Sequence, residues 1–212
     1  MMTEAQIRNT SEHTRMRLLD AAREVFSQHG FQGATVREIC KRAGANGAAV
    51  NYHFGSKDGL LVEALNFAPL KAMQTANIKA CECPKLRLRL FIHELMLMLL
   101  DENNPSSQCQ IMARELADPT PALDKIVKEA IQPMHEHLGG LVNSIAGGNV
   151  RDVELRRCVY SILGQCLFYR HSQPVLQRLH PRLRYDHKEI EAIADHITAY
   201  SLAGIEYLQN RA

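Results

Sequence analysis

The stretch TVREICKRAGANGAAVNYHF, residues 35–54, confines two helical segments and the turn between them to very little chain. Thr35 with Glu38 three residues on forms a capping box, and Gly44 stops a helix of about two turns. After the turn Ala45-Asn46-Gly47, a second short helix covers roughly 47–53, and Ser56 caps a longer one reaching about 78. Upstream, TRMRLLDAAREVFSQHG sets Met16, Leu19, Ala22, Val25 and Phe26 at three-to-four spacing, with Gly30 as a C-terminal cap. Three short helices followed by a long one, the middle pair joined by a tight glycine-containing turn, make a helix-turn-helix layout.

The remainder also reads as helix, so the expected class is all-α. CECPK breaks the chain at 81–85, and PKLRLRLFIHELMLMLLD then forms one helix. NNPSSQ at 103–108 is a loop, and QIMARELADP is a short helix stopped by Pro119. TPALDKIVKEAIQPMHEHLGGLVNSIAGG is a longer helix kinked by Pro133. VELRRCVYSILGQCLFYRHSQPVLQRL and KEIEAIADHITAYSLAGIEYL complete the chain, with the basic loop HPRLRYDH between them. The expected domains are a flexible N-terminal arm over 1–14, a helix-turn-helix domain over 15–62 and a helical domain over 63–212.

Bulk properties exclude several classes. The net charge of +2 in 212 residues is too small to argue for nucleic acid. Residues 35–57, however, carry Arg37, Lys41, Arg42 and Lys57 against Glu38, a local excess larger than the total. The strongest apolar run, FIHELMLMLL, is too short for a bilayer and is interrupted by His93 and Glu94, so no membrane role is expected. A polar N-terminus and six cysteines without paired zinc spacing point to a cytoplasmic protein with reduced thiols and no cofactor. No nucleophile elbow, phosphate-binding glycine loop or Cys–His pairing signal is present, so the chain is not expected to be an enzyme.

Residues 15–65 resemble the TetR family of bacterial transcriptional regulators at Ala21-Ala22, Phe26, Gly30, Thr35, Ile39, Ala43-Gly44, Tyr52, Phe54, Lys57 and Leu60-Leu61. ARELADPTPALDKIVKEAIQPMHEHL resembles the subset with a CecR-type C-terminal domain. The resemblance implies a homodimer that binds a double-stranded DNA operator and a small-molecule effector such as an antibiotic or other xenobiotic. It also implies that Thr35, Arg37, Tyr52 and Lys57 bind phosphate, contacts that position the protein without reading sequence.

Base reading would fall to Gly47, Ala48 and Asn51, and Asn46 in the turn is also expected to bind DNA. The chain departs here from the commoner family pattern, which has a larger polar residue at 47 and Tyr at 51. Gly47 offers a backbone N–H, Ala48 a methyl for thymine, and Asn51 a bidentate amide for adenine. Two readings of His53 stay open, a DNA contact and a satisfied half-buried histidine. Val50 and Phe54 fall on the side facing the core.

In the C-terminal half, Phe91, Met96, Met112, Met134, Phe168, Tyr169 and His171 are candidates to line an effector cavity, with ordinary core packing as the alternative. His93, Arg114, His135 and Gln165 are polar interruptions of apolar helices that need a ligand or an internal hydrogen bond. His135 and His137 lie two apart on one helix and make a poor metal chelate, and Cys81-x-Cys83 has no second pair. The last two helices are expected to form an intersubunit four-helix bundle. Ile162, Cys166 and Tyr169 would meet Ala192, Ile193, His196, Ala199, Ala203 and Tyr207.

Overall fold

The computed structural model describes residues 4–65, 83–100 and 107–209, and among them there is no strand. The expected extension of the fourth helix to about 78, Cys81 and most of the NNPSSQ loop lie outside the described residues. Helix α1 spans Glu4–Gly33, α2 Val36–Ala43, α3 Ala49–Phe54 and α4 Lys57–Ala64. Helix α5 spans Pro84–Leu100, α6 Ser107–Ala117, α7 Ala122–Ile126 and, after a π turn at Val127–Ile131, α8 Gln132–Ile145. Helix α9 spans Asp152–His171, α10 Gln173–Leu179 and α11 His187–Gln209.

Four departures from expectation are local. Residues 4–14, expected as a flexible arm, continue α1, because EAQIRNTSEHT contains neither Gly nor Pro. Gly30, expected as the terminal cap, sits at a kink inside α1 with φ 68° and ψ 179°. The single helix expected from Val153 to Leu179 divides at Ser172, since Pro174 has no N–H for Arg170 and fits the first turn of a new helix. The kink expected near Pro133 takes the form of the π turn just before it.

The described chain forms two compact units. The first comprises Met1–Phe67 and Ser106–Glu129. Leu18, Ala22, Val25 and Phe26 of α1 are buried with Ile39 of α2, Val50 of α3 and Leu60 and Leu61 of α4. Arg15 pairs with Glu63 and lies 5.4 Å from the Phe54 ring centroid, while Arg23 donates to the Ala64 carbonyl at 3.1 Å, so α1 and α4 are tied twice. Residues 106–129 join this unit, although the expected boundary at 62/63 places them elsewhere, because α6 packs on α1 through buried Ile111. The α6–α7 turn is closed by buried Glu115, whose carboxylate accepts from the Thr120 N–H and hydroxyl at 2.8 and 2.6 Å.

The second unit comprises Ala68–Pro105 and Ala130–Ala212. Helices α5, α8, α9 and α11 pack around Leu88, Phe91, Ile92, Met96, Leu138, Val142, Val159 and Ile197. Lys85 reaches Glu206 at 2.8 Å and Arg89 reaches Asp195 at 2.6 Å, joining α5 to α11 across their exposed edge. Ile162, Cys166 and Ile193, expected on an intersubunit stripe, are buried in this core instead, and burial pushes the Cys166 thiol up to about 12.

Helix α4 begins hard against the end of α3. Gly59 donates to the Ser56 hydroxyl at 3.0 Å, and a Cβ at Gly59 would collide with the Phe54 carbonyl oxygen. Gly59→Ala is therefore expected to cost ~1–3 kcal/mol by overpacking. Gly47→Ala, whose Cβ meets nothing within 4 Å, should stay within ~0.5 kcal/mol of the parent. Urea denaturation of both variants compares them, and equal stability would sink the packing argument.

Candidate functional site

Helix α3 has six residues, too few to stand alone, so its position is set by what it buries and by its caps. Val50 and Phe54 are buried, whereas Asn51 and Tyr52 are exposed, Tyr52 to 81%. That division puts positions 48, 51, 52 and 55 on the outward side of a helix anchored through 50 and 54.

Before it, Thr35 caps α2, its hydroxyl accepting from the Glu38 N–H at 3.1 Å. The reciprocal half of the expected capping box is absent, since Glu38 instead binds Arg42 at 3.1 Å. At the other end Gly44 takes the left-handed conformation, φ 58°, and the Ala45 N–H reaches the Cys40 carbonyl at 2.9 Å. A side chain there would meet a steric penalty that glycine avoids.

The turn shows a role for Asn46 that its residue type alone did not signal. Its Oδ1 accepts from the Ala48 N–H at 3.0 Å and its backbone carbonyl accepts from the Ala49 N–H at 2.9 Å, so Asn46 starts α3. Gly47 and Ala48, expected on the helix, lie in this turn and are exposed. Gly47 has neither a positive φ nor a neighbour within 4 Å of a built Cβ, so nothing inside the fold demands glycine there.

The cations differ in availability. The Arg37 side chain is exposed and makes no hydrogen bond or ion pair among the described residues, and the Lys41 side chain is the same. Arg42 is spent within the unit on Glu38, Glu24 and Gln28, at 3.1, 3.4 and 3.2 Å. Lys57 is half-buried with Nζ 4.3 Å from the Phe31 ring centroid, a cation–π seat. Burial lowers its pKa, against the opposing pull of Asp58. Phe31 follows the kink at Gly30 and stacks on Phe26 at 6.0 Å, a support that only the tertiary fold shows. His53 is half-buried, its ring edge-on to Tyr52 at 4.8 Å.

The candidate effector residues do not form one cluster. Phe91 and Met96 are buried on α5, Met134 is half-buried on α8, and Met112 is half-buried on α6 of the first unit. Phe168 is exposed and Tyr169 half-buried beside an open groove of about 360 Å³ with Gly164, Gln165, His196 and Ile197. His171 is exposed at the end of α9. Gln165 is satisfied by the Ser161 carbonyl at 3.2 Å, whereas His135 lies 5.6 Å from the Tyr160 ring with its Nε2 buried and unbonded.

Comparison with known proteins accounts for both parts of the chain. The family profile described as bacterial regulatory proteins, tetR family, matches residues 18–64. The profile of the C-terminal domain of HTH-type transcriptional dual regulator CecR matches residues 84–205. HTH-type transcriptional dual regulator CecR of Shigella flexneri is 26% identical over 201 residues, covering 89% of this chain and 90% of that protein. The transcriptional regulator FadR from Bacillus subtilis, solved with stearoyl-CoA, superposes with a TM-score of 0.67 at 20% identity, covering 89% of this chain and 98% of that one. AibR, solved with isovaleryl coenzyme A and operator DNA, gives 0.63 at 19% identity over 88% of this chain and 97% of that one. The two structures are similar in fold.

The turn geometry separates two roles for Asn46. Asn46→Ala should lose the acceptor that starts α3 and cost ~0.5–2 kcal/mol, while Asn46→Asp keeps the acceptor and stays near the parent. Thermal denaturation followed by circular dichroism measures both, and a fully stable Asn46→Ala would return the residue to the purely DNA-facing role.

Proposed function

Because the chain belongs to the TetR family of bacterial regulatory proteins and carries a CecR-type C-terminal domain, we propose that it is a cytoplasmic repressor released from a pseudo-palindromic operator by a small-molecule effector. Residues 15–62 are the DNA-binding domain in this reading, and the chain from 63 on, apart from the 106–129 segment of the first unit, serves effector binding and dimerisation. The observation that carries it is the outward side of α3, where the exposed Asn51 amide stands next to Ala48 and Gly47 on a helix pinned by Val50 and Phe54.

Asn51 is the principal base reader, a bidentate partner for adenine. Gly47 fits close approach to the groove, since its lack of a side chain has no internal reason. Thr35 and Arg37 hold a phosphate at the start of α2, where unpaired N–H groups and the helix dipole favour an anion. Tyr52 and Lys57 hold the backbone on the other side, Lys57 pre-positioned by Phe31. Asn46 acts through the turn, and His53 through its ring contact with Tyr52.

Two copies meet through α9 and α11. Tyr160, Leu167 and Phe168 on α9 and Tyr200 and Tyr207 on α11 are exposed aromatic or apolar side chains, with exposed Ala199 next to Tyr200 and exposed Ala203 between the two α11 tyrosines. Dimerisation sets the spacing of two α3 helices to successive major grooves. The effector belongs with Phe91, Met96 and Met134 in the second unit. Antibiotics, other xenobiotics and the acyl-CoA thioesters bound by the structural neighbours form the release panel.

Selection of genomic DNA on the purified protein, repeated with that panel, tests the reading. Asn51→Ala should lose ~1–3 kcal/mol of discrimination at one base pair per half-site. Arg37→Ala should weaken all sequences alike and reduce the salt slope by about one. If Asn51→Ala leaves the selected motif unchanged, its assignment fails.

The dimer is checked separately by sedimentation. Tyr200→Asp should give monomers and lower operator affinity on the order of 10²-fold, through loss of bivalent binding. A dimeric Tyr200→Asp would rule out this face.

A further inference from the structure

Helix α5 carries three basic residues two apart, Lys85, Arg87 and Arg89. Lys85 and Arg89 lie one turn apart on one face, and both are neutralised by α11. Glu206 takes Lys85 at 2.8 Å, and Asp195 and Glu191 take Arg89 at 2.6 and 3.6 Å. Arg87 points round the helix, one turn before Phe91, and has no ion pair among the described residues. Its Nε is buried and makes no hydrogen bond.

Helix α8 packs on α5, and an imidazole stands against Phe91, one turn on from Arg87. His137 lies 6.2 Å from the Phe91 ring, and its Nε2 is also buried without a hydrogen bond. Burial lowers the His137 pKa, and the positive charge of Arg87 lowers it further. Both effects favour the neutral ring, in one tautomer of which Nε2–H is a donor. The acid on α8, Glu136, is exposed and takes its hydrogen bond from Gln132 at 2.8 Å.

Two buried nitrogens on facing helices thus lack hydrogen-bond partners, and one belongs to a half-buried cation without a counter-ion among the described residues. Such groups cost stability unless something pairs with them. We propose that Arg87 and His137 bind the oxyanion head, a carboxylate or phosphate, of a ligand whose apolar body lies along Phe91 and Met134. Resting on the effector-regulated reading above, this makes the effector an amphipathic organic anion. Met134, one turn before His137 on α8 and half-buried, is an adaptable apolar neighbour for that body.

Thermal denaturation of the full chain with octanoate, octyl phosphate and neutral octanamide tests it. The two anions should raise the melting temperature, and octanamide of the same length should not. Arg87→Met should bind the anions about ten- to a hundredfold more weakly, as expected for a lost charge-assisted hydrogen bond. Without ligand, Arg87→Met should melt at or above the parent, whereas Arg89→Met, which leaves Asp195 unpaired, should melt below it. His137→Phe should reduce the anion shift and His137→Gln partly restore it.

Equal shifts from octanoate and octanamide would overturn the proposal. So would no shift with either anion, or an Arg87→Met protein that keeps its anion shift. A gel shift with selected DNA separates this from the wider reading. Arg87→Met should still bind DNA, and a parent protein that binds no DNA would fail the repressor reading while leaving the anion result standing on its own.

Discussion

Burial of Val50 and Phe54 is the interaction on which the outward face of α3 depends. A helix of six residues has too few internal hydrogen bonds to repay its nucleation. Its orientation is imposed from outside, by two side chains in the core of the first unit and by polar closures at each end. Asn46 fixes the start and the Gly55 N–H, bonded to the Asn51 carbonyl at 3.0 Å, fixes the end. Gly59 lets α4 abut the Phe54 carbonyl, so the angle between α3 and α4 is set by backbone contact rather than by side-chain repacking. A rigid frame of this kind leaves Asn51 and Tyr52 to face outward without an internal partner to satisfy.

Counting counter-ions separates the cations that hold the fold from those free to act. Arg42 is held by Glu38 of its own helix and Glu24 of α1, Arg89 by Asp195 and Glu191 of α11, and both serve packing. Arg37 and Arg87 have none among the described residues, one in solvent and the other partly buried. The difference in burial changes what each can do. An exposed Arg37 loses little by waiting for a phosphate, because water solvates it. The buried Nε of Arg87 has no hydrogen-bond partner in the free protein, and an arriving anion would supply one.

The caps and turns are legible in the sequence because they depend on neighbours three or four positions away. Thr35, Gly44 and Ser56 do what their spacing indicates, and Val50 and Phe54 turn inward as helical periodicity requires. Pairings across long separations are not legible. Nothing near Lys57 in sequence announces Phe31, and Lys85, Arg87 and Arg89 look equivalent until α11 is packed beside two of them. Periodicity also cannot say which of two apolar stripes meets the chain's own core. Ile162, Cys166 and Ile193 carry the same spacing signal as an interface and are buried inside the second unit, while Tyr160, Tyr200 and Tyr207 remain outside. Grouping residues 106–129 with the N-terminal helices is tertiary in the same sense, since Ile111 is one more apolar residue until α1 lies against it.

The proposed anion site bears on how release would work. A ligand shifts an equilibrium only by its difference in affinity between two states, however tightly it binds either. Pairing of the unpartnered Arg87 Nε contributes affinity in any state where Arg87 and His137 both reach the head group. It contributes to release only in so far as one state brings the two nitrogens together better than the other. They sit on different helices, α5 and α8, so a small slide of one against the other changes whether both reach one oxyanion. A single donor on one helix would bind without discriminating, whereas a pair divided between helices makes affinity depend on their register. Such a pair provides the differential contact that coupling between an effector site and a DNA-reading head requires.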